Sequence, residues 1–342
     1  MVPILFSDRM QQANSERIVL AGDAGGTKVN LSIFKFTGAD ATVLKTKQYH
    51  SKNYNSLTDV LLDFLSAKDT PTPESFCTGV AGPVVNNDAA MTNLSWHIKH
   101  QEIIDATGIK KVNLLNDLEA NAYGLAMLKD EDFLTLHAGN SLPGNAAIVA
   151  PGTGLGEAGL FWDGSFYRPF ATEGGHCDFA ARTDLDIELL AYLRQIHGIV
   201  SWEHTVSGPG IFSLYKFFRD VKKMEEPKWL ADEIANQDPS AAISEAALQN
   251  KAEICVTTMN LFVEHVARIS TIIGLKMKAT GGIFLSGGIP PKVVKLFQQD
   301  FFNQTFITCD KQKDLVSLMP VKVIMNEKTP MLGAAYYAAF GE

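Results

Sequence analysis

Apolar residues along this chain fall into short blocks separated by glycine-bearing turns. Ile18-Val19-Leu20 and Val29-Asn30-Leu31-Ser32-Ile33 have the length and branched character of strands, and Asp23-Ala24-Gly25-Gly26-Thr27-Lys28 stands between them. The layout returns at Pro151-Gly152-Thr153-Gly154-Leu155-Gly156, between Ala146-Ala147-Ile148-Val149 and Ala158-Gly159-Leu160-Phe161. Phe76 to Val80 and Val112 to Leu115 predict further strands, and Ser56 to Ala67 predicts a helix. This alternation predicts an α/β fold. Farther on, Ile254, Met259, Phe262, Val263, Val266, Ile269 and Ile273 keep the spacing of one helix face, so a long core helix is expected from Lys251 to Lys276. It leads into the apolar stretch Ile283-Phe284-Leu285, closed by Gly287-Gly288 and Pro290. A small-residue helix is expected from Pro330 to Ala339, packed closely on another element.

Length and charge narrow the classes. A single core stops growing at roughly 250 to 300 residues, so 342 residues with 46% hydrophobic content predict two domains. Thirty Lys+Arg against 38 Asp+Glu give a net charge of −8 with no block of one sign, so neither nucleic acid nor a membrane surface is expected as a partner. Cys77, Cys177, Cys255 and Cys309 are far apart and form no CxxC pair, which suits a reducing, cytoplasmic setting without a zinc cage. The apolar run Val2 to Phe6 is shorter than a secretory core, and residues 1–16 are expected to be an N-terminal extension outside the fold.

Chemistry concentrates at the turns. Gly25 and Gly26 lack Cβ atoms, so positive φ is open to them and their N–H groups can approach phosphate oxygens, with Thr27 adding a hydroxyl donor. Asp23 repels phosphate; its expected task is to hold Mg²⁺, directly or through water. A tight hairpin whose aspartate caps its own turn remains open for this motif alone. Gly152, Gly154 and Gly156 around Thr153 supply a second such turn, and Gly287-Gly288, with Gly333 beyond, leaves room for a flat adenine ring. Neither turn is a Walker A or Rossmann motif, because a strand rather than a helix follows.

Asn116-Asp117 closes a strand and opens a helix, a place from which Asp117 can accept a hydroxyl proton while Asn116 orients a substrate; helix capping is the alternative. Glu173-Gly174-Gly175-His176 and Glu203 add polar groups suited to a polyhydroxylated ligand, with a metal site as the competing reading of Glu173 and His176.

The ordered set resembles the bacterial-type glucokinases of the hexokinase family, within the actin, Hsp70 and hexokinase superfamily. It comprises Asp23-Ala24-Gly25-Gly26-Thr27, Ala90 to Trp96, Leu115-Asn116-Asp117, Gly152 to Gly156, Glu173 to Phe179, Ser207-Gly208-Pro209-Gly210 and Gly287-Gly288-Ile289. That resemblance implies a two-domain actin-like ATPase (ribonuclease H-like) fold with an interdomain cleft. The small α/β domain would take residues 17–126 and 327–342, and the large α/β domain residues 127–326. It implies phosphoryl transfer from ATP to glucose, with Mg²⁺ as the metal and a homodimer as an expected assembly. Asn93, Asn116, Asp117, Glu173, His176 and Glu203 would bind glucose, Asp117 also acting as the base. Asp23, Gly25, Gly26, Thr27, Gly152, Thr153, Gly154, Gly156, Gly287, Gly288 and Gly333 would surround ATP, with Asp23 serving the metal. Lys28 departs from the asparagine common at that place. A sister group of repressors and kinases shares the hairpins but carries a cysteine-rich zinc motif, of which only Cys177 is present, and its repressors place a helix-turn-helix ahead of the first hairpin. Other hexoses, a non-catalytic sugar sensor and an actin-like ATPase are the remaining alternatives.

Overall fold

The computed structural model of the protein describes residues 2–91 and 94–341. In chain order its strands are β1 (Glu16–Ala24), β2 (Lys28–Thr37), β3 (Asp40–His50), β4 (Ser75–Val80), β5 (Val84–Val85), β6 (Asp88–Ala90), β7 (His97–Lys99) and β8 (Lys111–Asn116). There follow β9 (Phe133–His137), β10 (Ala146–Pro151), β11 (Leu155–Trp162), β12 (Tyr167–Thr172), β13 (Gly282–Leu285) and β14 (Val321–Ile324). The chain divides into two compact units, one of Met1–Asp132, Leu160–Ala171 and Asn326–Glu342, the other of Phe133–Gly159 and Thr172–Met325.

In the first unit the main sheet has the order β3-β2-β1-β4-β8. The glycine hairpin joins β1 and β2 antiparallel, whereas β4 lies parallel to β1 and β8 parallel to β4. Every residue of β4 is buried, as a central parallel strand covered on both faces requires. Helix Leu57–Ser66 starts where the sequence places it, because the Ser56 side chain accepts a hydrogen bond from the Asp59 N–H at 3.1 Å, and it buries Val60, Leu61 and Phe64 in the core. The C-terminal helix, Thr329–Phe340, lies against helix Asp117–Gly124 at a contact only small residues allow. A Cβ on Gly333 would stand 1.7 Å from the Ala120 carbonyl oxygen, and one on Gly124 2.1 Å from that of Thr329.

Residues 2–16 correct the expectation of an extension outside the fold. Ile4 is fully buried and forms a parallel bridge to Tyr167, with Leu5 N–H donating to the Tyr167 carbonyl at 2.9 Å. A short helix, Ser7–Gln12, follows, and Tyr336 Oη donates to the Leu5 carbonyl at 2.8 Å. Five apolar residues are enough to plug one side of a domain.

The second unit repeats the plan. Its strands belong to a six-stranded sheet of order β12-β11-β10-β13-β14-β9, with β13 parallel to both β10 and β14 and β9 antiparallel at the edge. In each unit, then, a glycine hairpin precedes parallel strands added beside its first strand. The long helix expected near residues 251–276 is Glu253–Met277, and Met259, Phe262, Val263 and Val266 bury its apolar face in the core. Among the described residues no helix is long and apolar enough to cross a membrane.

Candidate active site

Three strands of the first unit end together. The register sets Ala24 opposite Val80 and Val80 opposite Asn116, so the Asp23 hairpin and Asn116-Asp117 leave the sheet at one edge. Ligands of α/β proteins bind outside such carboxyl ends. Asn116 is the helix cap, its Oδ1 accepting from Leu118 N–H at 2.9 Å, and this leaves Asp117 as the first residue of the helix. Gly79 sits under this turn: a Cβ there would lie 3.5 Å from Asp117 Cα and 3.0 Å from Ala120 Cβ. Sequence reading passed over Gly79, although a glycine inside an otherwise apolar strand is a signal of close approach.

Asp23 pairs with Asn30 across the hairpin, with Asn30 Nδ2 at 3.5 Å from its Oδ2. Burial pushes this carboxyl above the usual range, and the Asn30 hydrogen bond pulls the other way. The turn is closed by Gly25 N–H donating to the Lys28 carbonyl at 2.9 Å, and Ser51 braces it through the Gly25 and Thr27 carbonyls at 3.0 Å each. Positive φ, expected at the hairpin glycines, is not what Gly25 needs. A Cβ there would come within 3.3 Å of the Lys28 carbonyl oxygen, a tight approach that a glycine avoids. Thr27 and Lys28 are exposed, and Gly26 is partly buried between Gly25 and Thr27. Gly333, expected near adenine, has a packing reason for its missing side chain in the contact with Ala120 described above.

The second unit gathers the remaining motifs around β10. Gly152 N–H donates to the Gly154 carbonyl and Gly208 N–H to the Gly152 carbonyl, both at 2.8 Å, with Thr153 exposed at the tip and Gly156 in β11. Gly287 takes φ +83, and a Cβ there would stand 2.4 Å from the Pro151 carbonyl oxygen. At Gly288 the space around the absent side chain is open. Gly287→Ala is accordingly expected to cost roughly 1–3 kcal/mol through backbone strain, read as a lowered denaturant midpoint with a raised KM for ATP.

Glu203 locks onto the same turn. Its Oε2 accepts from Leu155 N–H at 2.9 Å, and a Cβ on Gly154 would lie 2.5 Å from that oxygen. Ser207 Oγ donates to the Glu203 carbonyl at 2.7 Å and accepts from Gly210 N–H at 3.0 Å, thereby capping helix Gly208–Asp220. Glu173 and His176 flank a single tight turn, closed by His176 N–H donating to the Glu173 carbonyl at 3.1 Å. Both side chains are largely exposed, with His176 Nε2 at 4.0 Å from Glu173 Oε2. Gly175 is needed because a Cβ would meet the Leu155 carbonyl oxygen at 2.0 Å. The structure therefore gathers Gly152, Gly154, Glu203, Glu173, His176 and Gly287-Gly288 in one region, and Asp23 with Asn116-Asp117 in another. Asn93 lies outside the described residues.

Glycine hairpins on two sheets of the same plan define the actin-like ATPase fold, of the sugar-kinase kind. A glucokinase family model matches residues 20–340, and the chain belongs to the glucokinase family. It is 35% identical over 337 residues to the glucokinase of Nostoc punctiforme, with 94% of this chain and 99% of the relative covered. The crystal structure of a glucokinase from an Antarctic psychrotroph superposes with a TM-score of 0.81 at 29% identity, covering 94% of this chain and 99% of that one. A Balamuthia mandrillaris glucokinase in complex with glucose shares the fold, with a TM-score of 0.79 at 19% identity over 97% and 98% of the two chains. Membership makes the protein an ATP-dependent hexose kinase.

Proposed function

We propose that the protein transfers the γ-phosphoryl group of ATP to the 6-hydroxyl of glucose, with Asp117 as the general base, in the cytoplasm. The observation that carries this reading is the shared edge of β1, β4 and β8, which sets a carboxylate at a helix start beside a glycine hairpin. Asp117 takes the hydroxyl proton as the oxygen attacks phosphorus, and Asn116, Glu173, His176, Glu203 and Asn93 hold the other hydroxyls. Backbone N–H groups of the two glycine turns face the phosphate oxygens, with Gly288 leaving room for the adenine.

Mg²⁺ fits Asp23. A half-buried carboxylate whose one side-chain partner among the described residues lies at 3.5 Å has room to serve a cation, and one carboxylate with several waters is how Mg²⁺ is ordinarily held on a nucleotide. When bound, the ion would neutralise charge on the phosphate oxygens.

A coupled assay of ADP release with a panel of hexoses and donors tests the reading; turnover equal with and without sugar would overturn it. Glu173→Gln is expected to raise the KM for glucose about 10- to 100-fold with little change in kcat, the weight of one lost hydrogen bond to a charged group. An unchanged KM would remove Glu173 from the sugar site.

A further inference from the structure

Glu157 lies in β11, facing inward, and is only 6% exposed. It is a carboxyl in the interior of the second unit, and its Oε1 has no hydrogen-bond partner among the described residues. Polar atoms buried in this way need a reason. The reason lies in what the side chain touches. A Cβ on Gly174 would stand 1.9 Å from Glu157 Oε2, so the carboxyl occupies the space that the missing side chain leaves inside the Glu173–His176 turn. The main chain of the same residue holds the turn as well. Thr172 Oγ1 donates to the Glu157 carbonyl at 3.1 Å and accepts from Gly174 N–H at 3.3 Å.

We propose that Glu157 is a positioning residue for the sugar-binding turn, whose carboxyl, seated against Gly174, sets the directions of Glu173 and His176. This rests on the reading of Glu173 and His176 as sugar ligands. Burial raises the Glu157 carboxyl to about 7, with Lys276, in the last turn of the long helix, pulling it down. Glu173 and His176 stand on the same turn with exposed side chains, and Glu203 is hydrogen-bonded to Leu155 N–H at the start of the same strand; strand β10, Ala146–Pro151, carries no charged or titratable group. Ionisation would set an unpaired charge in the interior, against Gly174 at the base of the turn, and a buried charge without a partner is relieved only by moving toward water. Glucose affinity should therefore be high below a pH of about 7 and fall as the pH rises through it.

The experiment is glucose calorimetry on the intact protein, with parallel measurement of kcat, from about one pH unit below that value to one above. Wild type is expected to lose about 3- to 10-fold in affinity across the window while kcat changes less. Glu157→Gln, neutral and of the same shape, should keep the tight low-pH affinity and show a flat profile. Glu157→Ala should bind glucose about tenfold more weakly at every pH, because the turn loses its support. A Glu157→Gln variant with the wild-type pH slope, or a folded Glu157→Ala variant with wild-type affinity, overturns the proposal. Binding is read apart from turnover, so glucose phosphorylation by Glu157→Gln leaves the kinase reading standing even where its pH slope sinks this one.

Discussion

Replacing Asp117 by asparagine is expected to lower kcat by about 10² to 10⁴, the usual weight of a positioned general base. The amide has the shape of the carboxylate but cannot take the proton from the attacking hydroxyl. Asn116 Oδ1 caps the helix through its bond to Leu118 N–H at 2.9 Å, and Asp117 Oδ1, which shares that donor at 2.9 Å, is replaced in the variant by an amide oxygen that can accept the same bond. Loss of a negative charge from the first turn costs only about 0.3–1 kcal/mol against the helix dipole. The denaturant midpoint and the calorimetric affinity for ATP should therefore stay close to wild type while turnover collapses. Near-normal phosphorylation of glucose by Asp117→Asn would assign the base elsewhere, and a matching loss of ATP binding would mean that the variant had disturbed the hairpin edge instead.

The parts of this site that the sequence made visible are those written in local chemistry. Asp23 to Lys28 and Pro151 to Gly156 are legible because glycines between apolar blocks force a turn, and Asn116-Asp117 because a strand pattern stops at a capping residue. Less visible was everything that depends on pairing across long separations. Ile4 reads as part of a loose end until Tyr167 is found beside it. Glu157 reads as one polar residue in a strand, and only the fold brings Gly174 against its carboxyl. The same holds for Gly333, whose neighbour Ala120 lies on a distant helix. Glycine itself was read for one property when another applied: Gly287 does need the left-handed backbone, whereas Gly25 does not take a positive φ and only eases a tight approach to the Lys28 carbonyl.

Asp186→Asn is the substitution expected to cost most in stability, about 3–5 kcal/mol, the loss seen when a buried ion pair is left with one partner. Asp186 is completely buried at the start of helix Asp184–His197, where it closes a capping box with Thr183. Its Oδ2 accepts from the Arg182 and Thr183 N–H groups at 2.9 and 2.8 Å and meets Arg268 Nη1 at 2.5 Å; His265 Nε2 lies 3.2 Å from Oδ1. An asparagine would turn an N–H₂ group toward one of these donors and leave the Arg268 charge, itself 4% exposed, with Glu264 at 3.5 Å as its remaining acidic partner among the described residues. Burial alone pushes the Asp186 carboxyl up, but the His265 bond and the two backbone donors outweigh it and hold the group well below the ordinary range. A carboxyl depressed on folding contributes stability above its unfolded pKa of about 3.9 and loses it as the pH falls through the folded value. Wild type should therefore weaken progressively below a pH of about 4, while Asp186→Asn, with no carboxylate to protonate there, should show a flatter acid limb. Urea titrations at neutral and acid pH measure both effects, and a neutral-pH loss under about 1 kcal/mol would mean that Arg268 finds another partner or water when Asp186 is gone.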